Sequence, residues 1–219
     1  PVQQDFWEEF TLHPHQPFSI VAHFTRLQGE VNVTALRDAI NRTLDETTAF
    51  TVRFAEASPQ HQPAMQLCPQ AKPRLQFIDL KSHQQPVQAA MTLMQKDVAE
   101  PRDLRHPTHS ACWLIAIDSD DYIWYLRTHH ILIDGFGMAL IEHRCATLYH
   151  HLLTQRDAGQ PLGCYRAFQH AEQAYLISER LIKDRSFWLN YLAAAFPLPC
   201  VWKGGDNYGK RAFTTHHCF

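Results

Sequence analysis

Two adjacent histidines, His129 and His130, are followed by Asp134 and Gly135 in the run His129-His130-Ile131-Leu132-Ile133-Asp134-Gly135. A neutral imidazole, with an ordinary pKa of about 6.5, can take or orient a proton at neutral pH, which is what general-base chemistry requires. The residues before the pair are rich in aromatic and β-branched types, and those after Gly135 carry Ile141, Cys145, Leu148 and Leu152 at helical spacing. A strand, a sharp turn and a helix are therefore expected, with an imidazole held at the end of the strand. Successive strand residues point to opposite faces. His129 and His130 should thus diverge, one toward a structural partner and one toward the reaction space, which disfavours a metal chelate built on the pair. Asp134 can bond turn amides or pair with an arginine, Arg53 or Arg127. At Gly135 a Cβ could obstruct a passing substrate. The backbone N–H that follows, at the helix start, could help hold an oxyanion.

The elements that must position these residues can be read along the chain. Asp5–Leu12 is a short helix candidate with Phe6, Trp7 and Phe10 able to share a face. Phe18–Leu27 reads as a strand ended by Gly29. Asn32 or Thr34 can cap a helix carrying Leu36, Ala39, Ile40 and Leu44. Phe50–Ala55 and Leu75–Leu80 are further strands, and Ser58–Pro73 is a loop with a short strand near Met65-Gln66-Leu67. Pro86 opens a helix to about Ala99. Cys112–Ile117 and Tyr122–His130 are strands joined by a turn at Ser119-Asp120-Asp121. Helix resumes from about Ala167 to Leu192, with a break near Ser178, and the chain is irregular after Pro197. The pattern gives an α+β fold, an α/β sandwich in which a mixed sheet carries helices packed on one face.

Bulk properties narrow the function classes. The 219 residues contain 45% hydrophobic and 19% charged residues, ordinary for a globular domain. A formal net charge of −2 gives no electrostatic case for nucleic acid. No apolar run reaches the roughly 18 residues that span a bilayer, and no secretory leader is visible at the N-terminus. The six cysteines are scattered without a Cys-x-x-Cys pair, so neither a zinc site nor a disulfide framework is expected. Cys112 and Cys145 read as small core residues in a cytoplasmic protein. His13, His15, His61, His83 and His106 read as solvated loop histidines.

The run from His129 to Gly135 resembles the HHxxxDG motif of the condensation domains of nonribosomal peptide synthetases, within the chloramphenicol acetyltransferase-like superfamily. All fixed positions of that motif are present. Val2-Gln3-Gln4-Asp5-Phe6-Trp7 resembles the opening motif of the family. Glu46–Phe54 resembles the second, with Phe50 and Phe54 matching and Thr48 in place of its glutamate. Asp103-Leu104 and Pro107 resemble the usual lead-in to the strand before the histidines. Tyr165-Arg166-Ala167-Phe168 falls where the fourth motif lies, with Ala167 in place of its aspartate, and Phe187-Trp188 resembles the close of the following helix. The stretch Tyr125–Phe136 is similar to siderophore-type synthetases.

The resemblance implies a chloramphenicol acetyltransferase-like lobe in which His130, the second histidine, is catalytic, while His129, Asp134 and Gly135 complete the motif. It implies amide formation between a carrier-bound acyl or peptidyl thioester and the amine of a carrier-bound acceptor. The cofactor would be phosphopantetheine on the upstream donor and downstream acceptor carrier domains, with none held by this chain. Residues 1–195 would form the N-terminal lobe and 196–219 an irregular segment leading toward a second lobe that the chain lacks. His216-His217 is no second motif, because no xxxDG follows. A partner lobe or self-association would then complete the cleft. Transfer from soluble acyl-CoA and a non-catalytic carrier-docking lobe are the alternatives.

Overall fold

The computed structural model describes residues 2–56, 63–106 and 109–193. Expectations for His61, Pro107, Cys200, Cys218, His216-His217 and the 196–219 segment lie outside the described residues. In chain order the elements are α1 (Val2–Leu12), β1 (Ile20–Gln28), α2 (Val33–Glu46), β2 (Val52–Glu56), β3 (Pro63–Leu67), β4 (Leu75–Asp79), α3 (Pro86–Ala99), β5 (Ala111–Asp118), β6 (Asp121–His129), α4 (Gly135–Thr154), α5 (Tyr165–Leu176) and α6 (Glu179–Ala193). They divide into two compact units, Pro1–Ala171 and Glu172–Phe219. In the second, Ser178 separates the two helices. Its hydroxyl donates to the Tyr175 carbonyl at 2.7 Å and accepts from Leu181 N–H at 3.3 Å.

Local chemistry explains the element starts. Asn32 Oδ1 accepts from Ala35 N–H at 3.0 Å and caps α2, whose Leu36, Ala39, Ile40 and Leu44 are buried. Pro86 occupies the first turn of α3, where its missing N–H is not needed. Phe50 falls in a 3₁₀ turn, Thr48–Thr51, so the expected strand begins only at Val52. Val52 and Phe54 bury their side chains in the main core beside Trp7 and Phe10.

Four strands form one mixed sheet in the order β1-β6-β5-β4. The β4·β5 pair is parallel, and β1·β6 and β5·β6 are antiparallel. β2 and β3 form a separate antiparallel pair. As an inner strand, β6 is buried from Tyr122 to His129 and shows no polar face. Trp124 and Leu126 pack with Leu114 and Cys112 against α2 and α4. Ile123 and Tyr125 pack with Ile115 and Ile117 against Ala90 and Met94 of α3. Helices therefore cover both faces of the sheet, not the one expected. The physical reason is that both sets of alternating residues on β5 and β6 are apolar, and each set needs a cover.

One carboxylate is buried on the α3 side. Asp97 accepts from Arg127 Nε at 2.8 Å, Arg127 Nη2 at 3.0 Å, Arg102 Nη2 at 2.7 Å and Tyr125 Oη at 2.7 Å. Burial alone would raise its pKa. The hydrogen bonds from Arg127 and Tyr125, with the charges of Arg127 and Arg102, outweigh burial and hold the carboxyl below its usual range. Removing one partner of such a pair leaves a buried charge without compensation. Asp97→Ala should lower unfolding free energy by about 3–5 kcal/mol, read by urea denaturation. A loss under about 1 kcal/mol, the scale of a surface pair, would contradict the buried pairing.

Candidate active site

β6 delivers the histidines and α4 takes the chain away from them. His129 is the last residue of β6, opposite Ile20 of β1. His130 already lies in the turn, one residue past the end of the strand. Its N–H donates to the Ser19 carbonyl at 2.7 Å. Ser19 has φ 52°, a left-handed conformation uncommon for a side-chain-bearing residue, and this conformation presents the carbonyl. Ile131, Leu132 and Ile133 are buried and pin the turn to the core. Gln3 Nε2 donates to the Ile131 carbonyl at 2.7 Å and also bonds the Tyr165 hydroxyl. The Phe6 ring stacks on His130 with centroids 5.0 Å apart and an interplanar angle of 27°, and it meets His129 edge-on at 6.3 Å. The opening motif, the histidine run and Tyr165 are thus one assembly.

The two histidines differ in environment. His129 is 3% exposed, and its Nδ1 accepts from Ile131 N–H at 3.1 Å. Burial, then the proximity of His109 and His130, pushes its pKa down to about 3, so the ring is neutral at pH 7 with its proton on Nε2. His130 is half-buried. Of the pair, His129 is enclosed and His130 is the less buried.

Asp134 is the N-cap of α4, its Oδ1 accepting from Gly137 N–H at 2.7 Å. The arginine alternative is not what the fold uses: Arg127 is bound to Asp97, and Arg53 donates to Gln66 Oε1 at 2.7 and 3.1 Å. Gly135 and Gly137 differ in what surrounds them. A Cβ on Gly135 would meet nothing within 4 Å, whereas one on Gly137 would lie 2.8 Å from Ile133 Cγ2 and 3.3 Å from Asp134 Oδ1. Gly137 is the glycine the fold requires, and Gly135 borders open space. Thr48, which replaces the glutamate of the second motif, accepts from Tyr165 N–H at 2.8 Å through its hydroxyl. Sequence reasoning did not single out Gln3, Phe6 or Ser19 as parts of the site. The opening-motif likeness was a signal for the first two, and the φ of Ser19 left none. Among the described residues, no three His, Cys, Asp or Glu side chains are grouped to hold a metal ion.

A family model for the condensation domain matches residues 1–207. The chain belongs to the condensation-domain family. Among its relatives, a dimodular nonribosomal peptide synthase of Bacillus subtilis is 33% identical over 195 residues, covering 88% of this chain and 8% of the synthase. An isonitrile lipopeptide synthase of Streptomyces coeruleorubidus is 31% identical over 202 residues, 90% of this chain and 13% of that one. Enterobactin synthase component F of Escherichia coli O157:H7 is 29% identical over 174 residues, 77% of this chain and 13% of that one. The crystal structure of VibH, an NRPS condensation enzyme, superposes with a TM-score of 0.80 at 29% identity, covering 89% of this chain and 45% of VibH. This condensation-domain chain therefore spans less than half of VibH and a small part of each synthase. Among its described residues no helix is long and apolar enough to cross a membrane.

Two outcomes test this geometry. Gly137→Ala should cost about 1–3 kcal/mol of stability by overpacking, because the β-branched Ile133 has little freedom to move aside, while Gly135→Ala stays within about 0.5 kcal/mol; thermal melts of both decide. The depressed pKa of His129 also has a pH signature. Unfolding lets the ring take a proton below about pH 6.5, whereas the folded ring stays neutral down to about pH 3. Its contribution is complete above pH 6.5 and is lost as pH falls, with a slope of up to about 1.4 kcal/mol per pH unit. His129→Asn should flatten the stability profile between about pH 6.5 and 5.5, above the range where carboxylates titrate.

Proposed function

We propose that this chain forms the N-terminal lobe of a condensation domain and that His130 serves peptide-bond formation between carrier-bound substrates. The acceptor amine attacks the donor thioester carbonyl; the amide C–N bond forms, the C–S bond breaks, and the amine proton passes through the imidazole toward the departing thiolate. General-base help of this kind contributes about 10²–10⁴-fold in rate. The observation that carries the reading is the unequal setting of the pair: His129 is enclosed and neutral, while His130 is half open, stacked on Phe6 and held by the Ser19 carbonyl. Asp134 and Gly135 act on architecture and access. In this reading the first-turn N–H of Phe136 helps hold a developing oxyanion, and substrate passes beside Gly135, where a Cβ would meet nothing within 4 Å.

In this reading residues 1–195 are the first lobe and 196–219 lead to a second lobe that closes the cleft, supplied by further chain or by self-association. Donor and acceptor carriers bring their substrates on phosphopantetheine arms, and this chain holds no cofactor of its own. The likeness to enterobactin synthase component F supports a siderophore-type assembly line. Cys112 and Cys145, buried as thiols with pKa values pushed up to about 12, suit the reducing cytoplasm.

Single-turnover condensation with carrier-loaded donor and acceptor, run in the full-length protein, tests this. His130→Ala should cut the rate by about 10² or more with the melting temperature little changed, and Gly135→Ala should lower the rate without lowering stability. An unchanged rate in His130→Ala removes the catalytic assignment and favours a docking lobe.

A further inference from the structure

A third histidine stands behind the pair. In the β5·β6 ladder Cys112 faces Leu126 and Ala111 faces Arg127. Continuing that register sets Ser110 opposite Thr128 and His109 opposite His129. The Ser110 and Thr128 hydroxyls are hydrogen-bonded at 2.8 Å, so the register does run on past the last ladder pair. Directly opposed residues share one face, with Cβ atoms about 5 Å apart. His109 is 1% exposed. Arg127 Nη1 donates to its carbonyl at 2.6 Å, which ties it to the Asp97 cluster.

The hydrogen bonds assign both tautomers. His109 Nδ1 lies 2.8 Å from the His106 carbonyl, which can only accept, so Nδ1 carries the proton. Burial, and the Arg127 charge beside it, lower the pKa of His109 and keep the ring neutral, leaving a lone pair on Nε2. That Nε2 is fully buried and has no hydrogen-bond partner among the described residues. His129 is the mirror case: its Nδ1 accepts from Ile131, so its Nε2 carries the proton. One ring offers a donor and the ring opposite it an unused acceptor. The Val52 backbone also acts on the His109 ring, in the direction that favours its protonated form, as a nearby carbonyl does.

We propose that His109 is a positioning residue for the histidine pair, its Nε2 accepting from a single buried water that in turn accepts the Nε2 proton of His129. The second hydrogen of that water goes to the Val52 carbonyl, so the water has three partners, the usual number for a buried water. The link fixes the tautomer and ring plane of His129. It thereby fixes the Ile131 amide and the turn that sets His130. Asp97, through Arg127 and His109, becomes the far anchor of the same chain of contacts. The catalytic consequence rests on the reading of His130 as the reacting imidazole, whereas the hydrogen bond does not.

Imidazole ¹⁵N NMR of the chain with ring-labelled histidine tests the proposal. The expected spectrum has His109 protonated on Nδ1 and His129 on Nε2, with the His129 Nε2 proton slow to exchange. The opposite tautomer at either ring in the wild-type chain overturns the proposal without any variant. His109→Phe keeps bulk and removes the acceptor, and His109→Gln retains an acceptor oxygen. With Phe, the His129 Nε2 proton should exchange at least about tenfold faster, and kcat in the full-length protein should fall about tenfold at unchanged KM, with recovery in Gln. His129 shifts and exchange unchanged in His109→Phe overturn the proposal. If His129 responds to His109 but the full-length protein makes no amide, the positioning link stands and the condensation reading fails.

Discussion

A single buried carboxylate organises the end of the sheet. Asp97 belongs to α3, yet its oxygens gather Arg127 from the inner strand, Arg102 from the loop that follows α3, and the Tyr125 hydroxyl. A charge at that depth is tolerable only when fully paired, so the geometry of all four groups is set together. Arg127 spends its remaining nitrogen on the His109 carbonyl, which extends the constraint to the rim where β6 ends. Helix, strand and loop are thus locked two residues before the histidines. The precision of the imidazoles comes from the strand they sit on more than from the turn that follows.

The alternation of β6 then does the sorting. Its odd positions look toward α3 and its even positions toward α2 and α4. The strand stops after His129, so His130 leaves the ladder as its companion stays inside it. Phe6 reaches both rings from α1, stacked on one and edge-on to the other. Asp134 and Gly137 close the far side as a helix cap and a tight contact, which leaves the first residue of α4 free of crowding. Support and access are divided among different residues of one seven-residue run.

Much of this was legible in the sequence because it is local. Pro86 and the apolar spacing behind it gave the start of α3, and the composition of Tyr122–His130 marked a strand, which ends one residue earlier than expected, at His129. The opposite facings of two adjacent strand residues follow from the two-residue period alone. What depends on distant partners was not legible. Helices on both faces follow from which apolar stripes meet, and the expected strand at Phe50 gave way to a 3₁₀ turn that buries its ring. Asp134 had two plausible partners until Arg127 proved to be committed to Asp97. His109 carries no local mark. Only the register counted back from the hairpin places it opposite His129.

The contact between α1 and the histidine turn joins residues far apart along the chain. Gln3 and Ile131 are 128 positions apart, and Phe6 closes over His130 from the same helix. During synthesis at about 5–20 residues per second, α1 waits about 6–25 s before its seat exists. Helices of this length are marginal in isolation, so α1 has little reason to persist before that seat appears. β1 is delayed in the same way, since among the described residues its strand partner is β6. α1 and β1 are therefore made before β6 but dock only after it. The imidazole pair acquires its final surroundings only when α1 folds back onto it, which makes assembly of the site a late event in the folding order of these elements.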